Sequence, residues 1–168
     1  MVDTDEDDGR QPLRFTVNGR AVSCSVEPRL TLLDCLRDEI RLHGTHVGCE
    51  HGVCGCCNVL LDGELVRSCL MFAAQAAGHA VTTIEGIEAP DGSLSELQEA
   101  FCAHHSMQCG YCTPGMIMAL EALLAEEKDP DDDDITEAIS ANLCRCTGYQ
   151  QIRDAARGVI EARKADRQ

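Results

Sequence analysis

The chain has 168 residues, a formal net charge of −15, no Trp and only 3% aromatic residues. That length suits one ordinary domain or two small ones, and so few aromatic side chains exclude a large aromatic core. The charge excludes nucleic acid as a partner, because phosphate backbones reward clustered Lys and Arg.

The opening stretch, MVDTDEDDGR, has neither the basic n-region nor the apolar h-region of a secretory signal peptide. No apolar run approaches the roughly 20 residues needed to cross a bilayer. A soluble, cytoplasmic protein without a membrane span is expected. Residues 1–12 read as a disordered acidic tail, and the second acidic run, 129–134, as a solvated loop. Residues 13–17 and 21–26 flank Asn18-Gly19, a strong hairpin signal. Thr31 is placed to N-cap a helix with Leu32, Leu33, Leu36 and Ile40 on one face. A Gly-rich loop over 44–57 leads to strands at 58–61 and through Val66, turned at Asp62-Gly63, with a last strand at 81–84. The pattern predicts a β-grasp, plant-type ferredoxin-like domain over 13–88.

Residues 85–92 read as a linker rich in Pro, Gly and acid, after which the apolar period becomes helical. Ser93 and Glu96 form a capping box ahead of Leu97 and Phe101, and Thr113-Pro114 opens a second helix. Asp134 and Glu137 repeat the box, and Gly148 precedes a fourth helix carrying Tyr149, Ile152, Ala156, Val159 and Ile160. Residues 89–168 should therefore pack as a four-helix bundle, giving an α+β chain of two domains.

Twelve cysteines in a cytoplasmic chain favour metal over disulfides, which need a secreted one. Cys49, Cys54, Cys57 and Cys69 read C-x4-C-x2-C with a fourth Cys after eleven residues, the plant-type spacing for a [2Fe–2S] cluster. Gly48, Gly52 and Gly55 interleave them and let backbone N–H groups turn toward sulfur. Cys109, Cys112, Cys144 and Cys146 form a second set of two close pairs, one before a helix and one after another. Zinc is the alternative for either set. It usually takes two C-x2–4-C knuckles, whereas here one Cys stands alone and one pair is C-x-C. Spacing selects Cys57 over Cys56, which reads as a packed bystander thiol, as do Cys24, Cys35 and Cys102. His51 reads as a loop residue, and His104 and His105 as polar helix-end residues rather than Rieske-type ligands. No G-x-G-x-x-G and no Ser/His/Asp arrangement is present, so a self-contained enzyme is not expected.

The stretches GCEHGVCGCC at 48–57, QCGYCTPGM at 108–116 and NLCRCTGYQ at 142–150 resemble the small iron–sulfur subunit of molybdenum hydroxylases, the xanthine dehydrogenase family. The likeness runs from residue 13 to about 160. SCLMF, TTIEGI and CTPGMIM look nearest to the small subunits of aerobic carbon monoxide dehydrogenase. The resemblance implies an electron-transfer subunit with two [2Fe–2S] clusters. It further implies a large molybdopterin subunit and a medium FAD subunit as partners, in a dimer of heterotrimers. Carbon monoxide, an N-heterocycle, an aldehyde or an acyl-CoA would be the substrate of the complex. By the same resemblance Gln108 and Cys146 lie against the molybdopterin, although the bare sequence also allows Gln108 a structural hydrogen bond. Two departures stand out: Cys56 where the family usually has a small residue, and Asn58 where it has Thr, which alters hydrogen bonding near the first cluster. A free-standing ferredoxin is the alternative within redox chemistry, and a zinc-binding interaction module the alternative outside it.

Overall fold

A computed structural model describes residues 9–89, 91–127 and 129–167. Strands β1 (Gln11–Val17) and β2 (Arg20–Val26) pair antiparallel about Asn18-Gly19, whose φ values of 49° and 74° suit a two-residue hairpin turn. Leu13, Phe15 and Val17 point into the core at every second position. Residues 1–8 of the expected tail lie outside the described residues, while Gln11 and Pro12 belong to β1, paired with Val26 and Ser25.

The first helix, α1 (Leu32–Asp34), is capped by Thr31, whose Oγ1 accepts the Asp34 N–H at 3.1 Å. It then widens into a π-helical turn over Cys35–Glu39. Leu32 and Leu36 enter the core under the sheet, but Leu33 packs with Cys57 and Cys69 instead. One short helix thus supports both the sheet and the first cysteine set.

β3 (Asn58–Leu61) and β4 (Glu64–Arg67) follow, and β5 (Ala80–Thr82) inserts between β1 and β3, giving the order β2-β1-β5-β3-β4. β5 runs parallel to β1, a pairing that requires a long crossover between them. The expected strand at 81–84 stops at Thr82, because Ile84–Gly86 winds into a 3-10 turn. Nor is 85–92 a free linker at its start. Ile84 and Ile87 pack on the helical core, and the Glu85 carboxylate accepts the Gly44 N–H at 2.6 Å.

Helices α2 (Glu96–Ala103), α3 (Thr113–Glu126), α4 (Asp132–Ser140) and α5 (Gln150–Asp166) enclose one core built on Phe101, Met116, Leu120, Ile135 and Ile152. Both expected capping boxes are shifted in register. The first is Ser95 with Gln98, while Ser93 bonds back to Asp91. The second is Asp131 with Asp134, three residues earlier than expected. In each case several cap-capable residues stand in a row, and burial of Leu97 or Ile135 decides which one terminates the helix. The run 129–134 is therefore not all loop: Asp132, Asp133 and Asp134 occupy the first turn of α4, where the helix dipole favours negative charge. Asp132 also accepts from Nε and Nη2 of the Arg157 guanidinium, at 3.0 and 2.9 Å. Among the described residues no helix is long and apolar enough to cross a membrane.

Asp131→Ala removes an acceptor for two backbone N–H groups and is expected to cost about 1 kcal/mol. A lower urea midpoint by circular dichroism with an unchanged m-value is the expected reading; an unmoved midpoint would show that the cap contributes nothing.

Candidate metal centres

The loop before β3 wraps the first cysteine set. The Cys49 sulfur accepts backbone N–H groups from Val53 at 3.3 Å and Cys54 at 3.4 Å. The His51 N–H, with those of Cys54 and Val53, pulls the Cys49 thiol down to about 6 against the opposing effect of burial. At Gly48 a Cβ would stand 2.8 Å from the Cys54 sulfur, so glycine keeps the cradle open. Cys49 interacts with Cys54 and Cys57 with Cys69, while the neighbouring Cys56 thiol also reaches Cys54. Burial pushes Cys69 up to about 11, but a bound cation inverts that preference, since a coordinating thiol loses its proton outright.

The second set joins the start of α3 to the end of α4. Cys112 is the N-cap residue of α3, and Cys144 and Cys146 lie in the turn after α4. Cys109 and Cys146 stand 3.6 Å apart, and Cys112 contacts Cys144. Burial raises the Cys144 thiol, but the Thr147 hydroxyl at 3.1 Å and backbone N–H groups outweigh it and lower it. Tyr149, at a left-handed φ of 70°, turns its hydroxyl back to donate to Asn142 O and accept the Cys144 N–H. Cys112 is buried and Cys144 half-buried, whereas Gln108, Cys109 and Cys146 are exposed along one edge. Among the described residues Gln108 forms no hydrogen bond.

Thiol pairs suit a two-iron cluster, in which each iron takes two thiolates. A tetrahedral zinc needs all four about one point, and no three His, Cys, Asp or Glu among the described residues gather that closely. The buried amide nitrogen of Asn142, two residues before Cys144, has no protein acceptor and offers a donor that a cluster sulfur can use. The residues present therefore fit iron–sulfur chemistry at both places.

The other thiols and histidines are disposed differently. Cys56 is buried in the helical core, and burial pushes its thiol up to about 12. Cys24 and Cys35 meet at 4.0 Å beside the sheet core. Cys102, expected to be packed, is exposed, because α2 buries the Leu97–Phe101 stripe and Cys102 falls beside it. His104 and His105 are exposed, and the His51 ring bonds to the Cys49 carbonyl.

The sites share a seam. The Leu143 N–H donates to the Cys54 carbonyl at 2.9 Å, so one hydrogen bond joins a candidate ligand of the first set to the residue before Cys144. Asn58 donates to Gly115 O and to Asn142 Oδ1, both at 3.1 Å. Its substitution for Thr thus acts across the domains rather than on the first loop alone. Arg67 reaches Gly52 O, Asn142 Oδ1 and Ala141 O. The His46 ring stacks on Tyr111 with centroids 4.7 Å apart. Arg67 and His46 escaped the sequence reading, and Tyr111, Asn142 and Tyr149 stood in the cysteine motifs with no bonding role assigned to them. Their one visible signal is position within three residues of a spaced cysteine.

Residues 15–82 match the family model described as "2Fe-2S iron-sulfur cluster binding domain", and residues 83–157 that described as "[2Fe-2S] binding domain". The chain is 53% identical over 150 residues to caffeine dehydrogenase subunit gamma of Pseudomonas sp. (strain CBB1), covering 88% of this chain and 89% of that one. It belongs to the iron–sulfur small subunits of the xanthine dehydrogenase family of molybdenum hydroxylases. As such it is an electron-transferring part of a multi-subunit oxidoreductase and carries two [2Fe–2S] domains. The nicotine 6-hydroxylase small subunit of Paenarthrobacter nicotinovorans is 49% identical over 87% of each chain. The crystal structure of quinoline 2-oxidoreductase from Pseudomonas putida 86 matches with a TM-score of 0.88 and 44% identity, covering 94% of this chain and 98% of that one. In the aldehyde oxidoreductase of Desulfovibrio gigas, 93% of this chain matches 17% of a longer one, with a TM-score of 0.86 and 38% identity.

At Gly115 a Cβ would stand 2.1 Å from the Gly55 carbonyl oxygen, and both atoms belong to backbone that has no free direction to yield. Gly115→Ala is expected to cost this iron–sulfur subunit about 1–3 kcal/mol through overpacking. Gly158→Ala, whose Cβ meets only the His104 ring at 3.4 Å, should be neutral or stabilising as a helix-interior Gly→Ala change. Equal urea midpoints for the two variants would show that the seam tolerates a methyl group.

Proposed function

We propose that this subunit carries electrons from a molybdenum centre on a large partner, through two [2Fe–2S] clusters in series, to FAD on a medium partner. Cys49, Cys54, Cys57 and Cys69 hold the first cluster, and Cys109, Cys112, Cys144 and Cys146 the second. When bound, each cluster takes up and returns one electron; the protein places the pair and tunes both. The observation that carries the reading is the joining of two paired-thiol sites across one seam, where the Leu143 N–H donates to the Cys54 carbonyl. The domain division at residue 88, a C-terminal four-helix bundle, a cytoplasmic location and a dimer of heterotrimers belong to the same reading.

The direction of transfer is that of the family, and the pattern of exposure supports it. Gln108, Cys109 and Cys146 present the second cluster's edge, and an amide that both donates and accepts matches the mixed edge of a pterin. The family resemblance makes Gln108 and Cys146 the contacts to molybdopterin, and their exposure supports that reading. Val53 and Leu70 are 55% and 62% exposed at the first loop and suit the FAD partner. Relatives named for caffeine, nicotine and quinoline favour an N-heterocycle as substrate over carbon monoxide.

Iron and acid-labile sulfide near four each per chain are expected, with two distinct paramagnetic signals on reduction. Cys54→Ser should remove the first signal and spare the second, and Cys112→Ser the reverse. Zinc in place of iron, or loss of both signals from either change, would overturn the reading.

Gln108→Ala should retain its iron yet slow substrate-driven reduction of the clusters in the assembled enzyme. Reduction at the parental rate would remove Gln108 from the transfer path, and loss of iron would assign it a structural role.

A further inference from the structure

Arg67 ends β4, two residues before Cys69, and its half-buried guanidinium spans the seam between the two thiol sites. Nε donates to Gly52 O at 3.3 Å, between Cys49 and Cys54 in the first loop. One arm reaches Asn58 Oδ1 and, at 3.4 Å, Asn142 Oδ1. The other donates to Ala141 O at 2.8 Å, three residues before Cys144. Every one of these acceptors is an uncharged amide or peptide oxygen. Among the described residues Arg67 forms no ion pair with a carboxylate, although acidic residues outnumber basic ones 29 to 14. Arg153 and Arg163 by contrast each meet one, and Arg157 meets two. A cation held in a partly buried seam without an anionic partner is costly. A four-thiolate, two-iron cluster carries net negative charge, and reduction adds one more.

Resting on the two-cluster reading, we propose that Arg67 is a positioning residue that serves as the shared counter-ion of both clusters. Its fixed positive charge favours the reduced, more negative form of each cluster and so raises both potentials. Charges in a partly buried seam are screened less by salt than those in open solvent, so the effect persists at physiological ionic strength. The planar fork adds a second role, locking Gly52 of one domain to Ala141 of the other, which Lys with its single ammonium cannot reproduce. Charge and staple are therefore separable by substitution.

The test is a redox titration of the assembled enzyme followed by electron paramagnetic resonance, with cluster content measured on the same samples. Arg67→Gln keeps an amide donor and removes the charge. It should lower both midpoint potentials, by about tenfold in the reduced-to-oxidised ratio, which is about 59 mV for one electron. Arg67→Lys keeps the charge and should hold both potentials at the parental position while lowering the unfolding temperature. Parental potentials in Arg67→Gln with both signals intact would overturn the counter-ion role and leave the two-cluster reading standing. Absence of two signals in the parental enzyme would overturn that reading itself. Should Arg67→Gln fail to retain iron, Arg67→Lys decides. Retention with parental potentials supports the counter-ion; loss of iron there too, or lowered potentials, makes Arg67 a staple only.

Discussion

The backbone of α3 rests on the backbone of the first cysteine loop, with Gly115 against Gly55 and no room for a methyl group between them. Everything that makes the chain more than two adjoining domains depends on that approach. It brings Asn58 within reach of Asn142, lets Leu143 bond to Cys54, and seats Cys56 among side chains of the helical core. A larger residue at either glycine would separate the sites that those bonds join.

Within each site, hydrogen-bond donors aimed at one sulfur do the electrostatic preparation, backbone N–H groups in the first and a hydroxyl with N–H groups in the second. Sulfur is a weak acceptor, so a loop must aim several N–H groups at it before a thiolate is favoured. The first loop does this at Cys49, and Thr147 does it at Cys144. Cys69 and Cys112 instead are pushed up by burial, so each site holds one thiol that its surroundings prepare and one that they oppose.

Much of this was legible from residue order alone. The hairpin at Asn18-Gly19, the Thr31 cap and the helix opening at Thr113-Pro114 are all local patterns with a local cause. The capping boxes slipped because runs such as 93–98 and 131–137 hold several residues able to cap, and tertiary burial chooses among them. The seam was invisible for a different reason. Asn58, Arg67 and Asn142 are far apart in the chain, carry no periodicity, and meet only after both domains fold. Gly115 looked like any residue near a helix start, and only its distance to Gly55 reveals why a side chain is excluded.

The uneven exposure of the second thiol set has a consequence for biogenesis. Cys109 and Cys146 open onto the surface while Cys112 is enclosed. Incoming iron and sulfide meet those two exposed thiols before the enclosed one, so the half of the site that a reagent reaches first is also the half that a covering surface would hide.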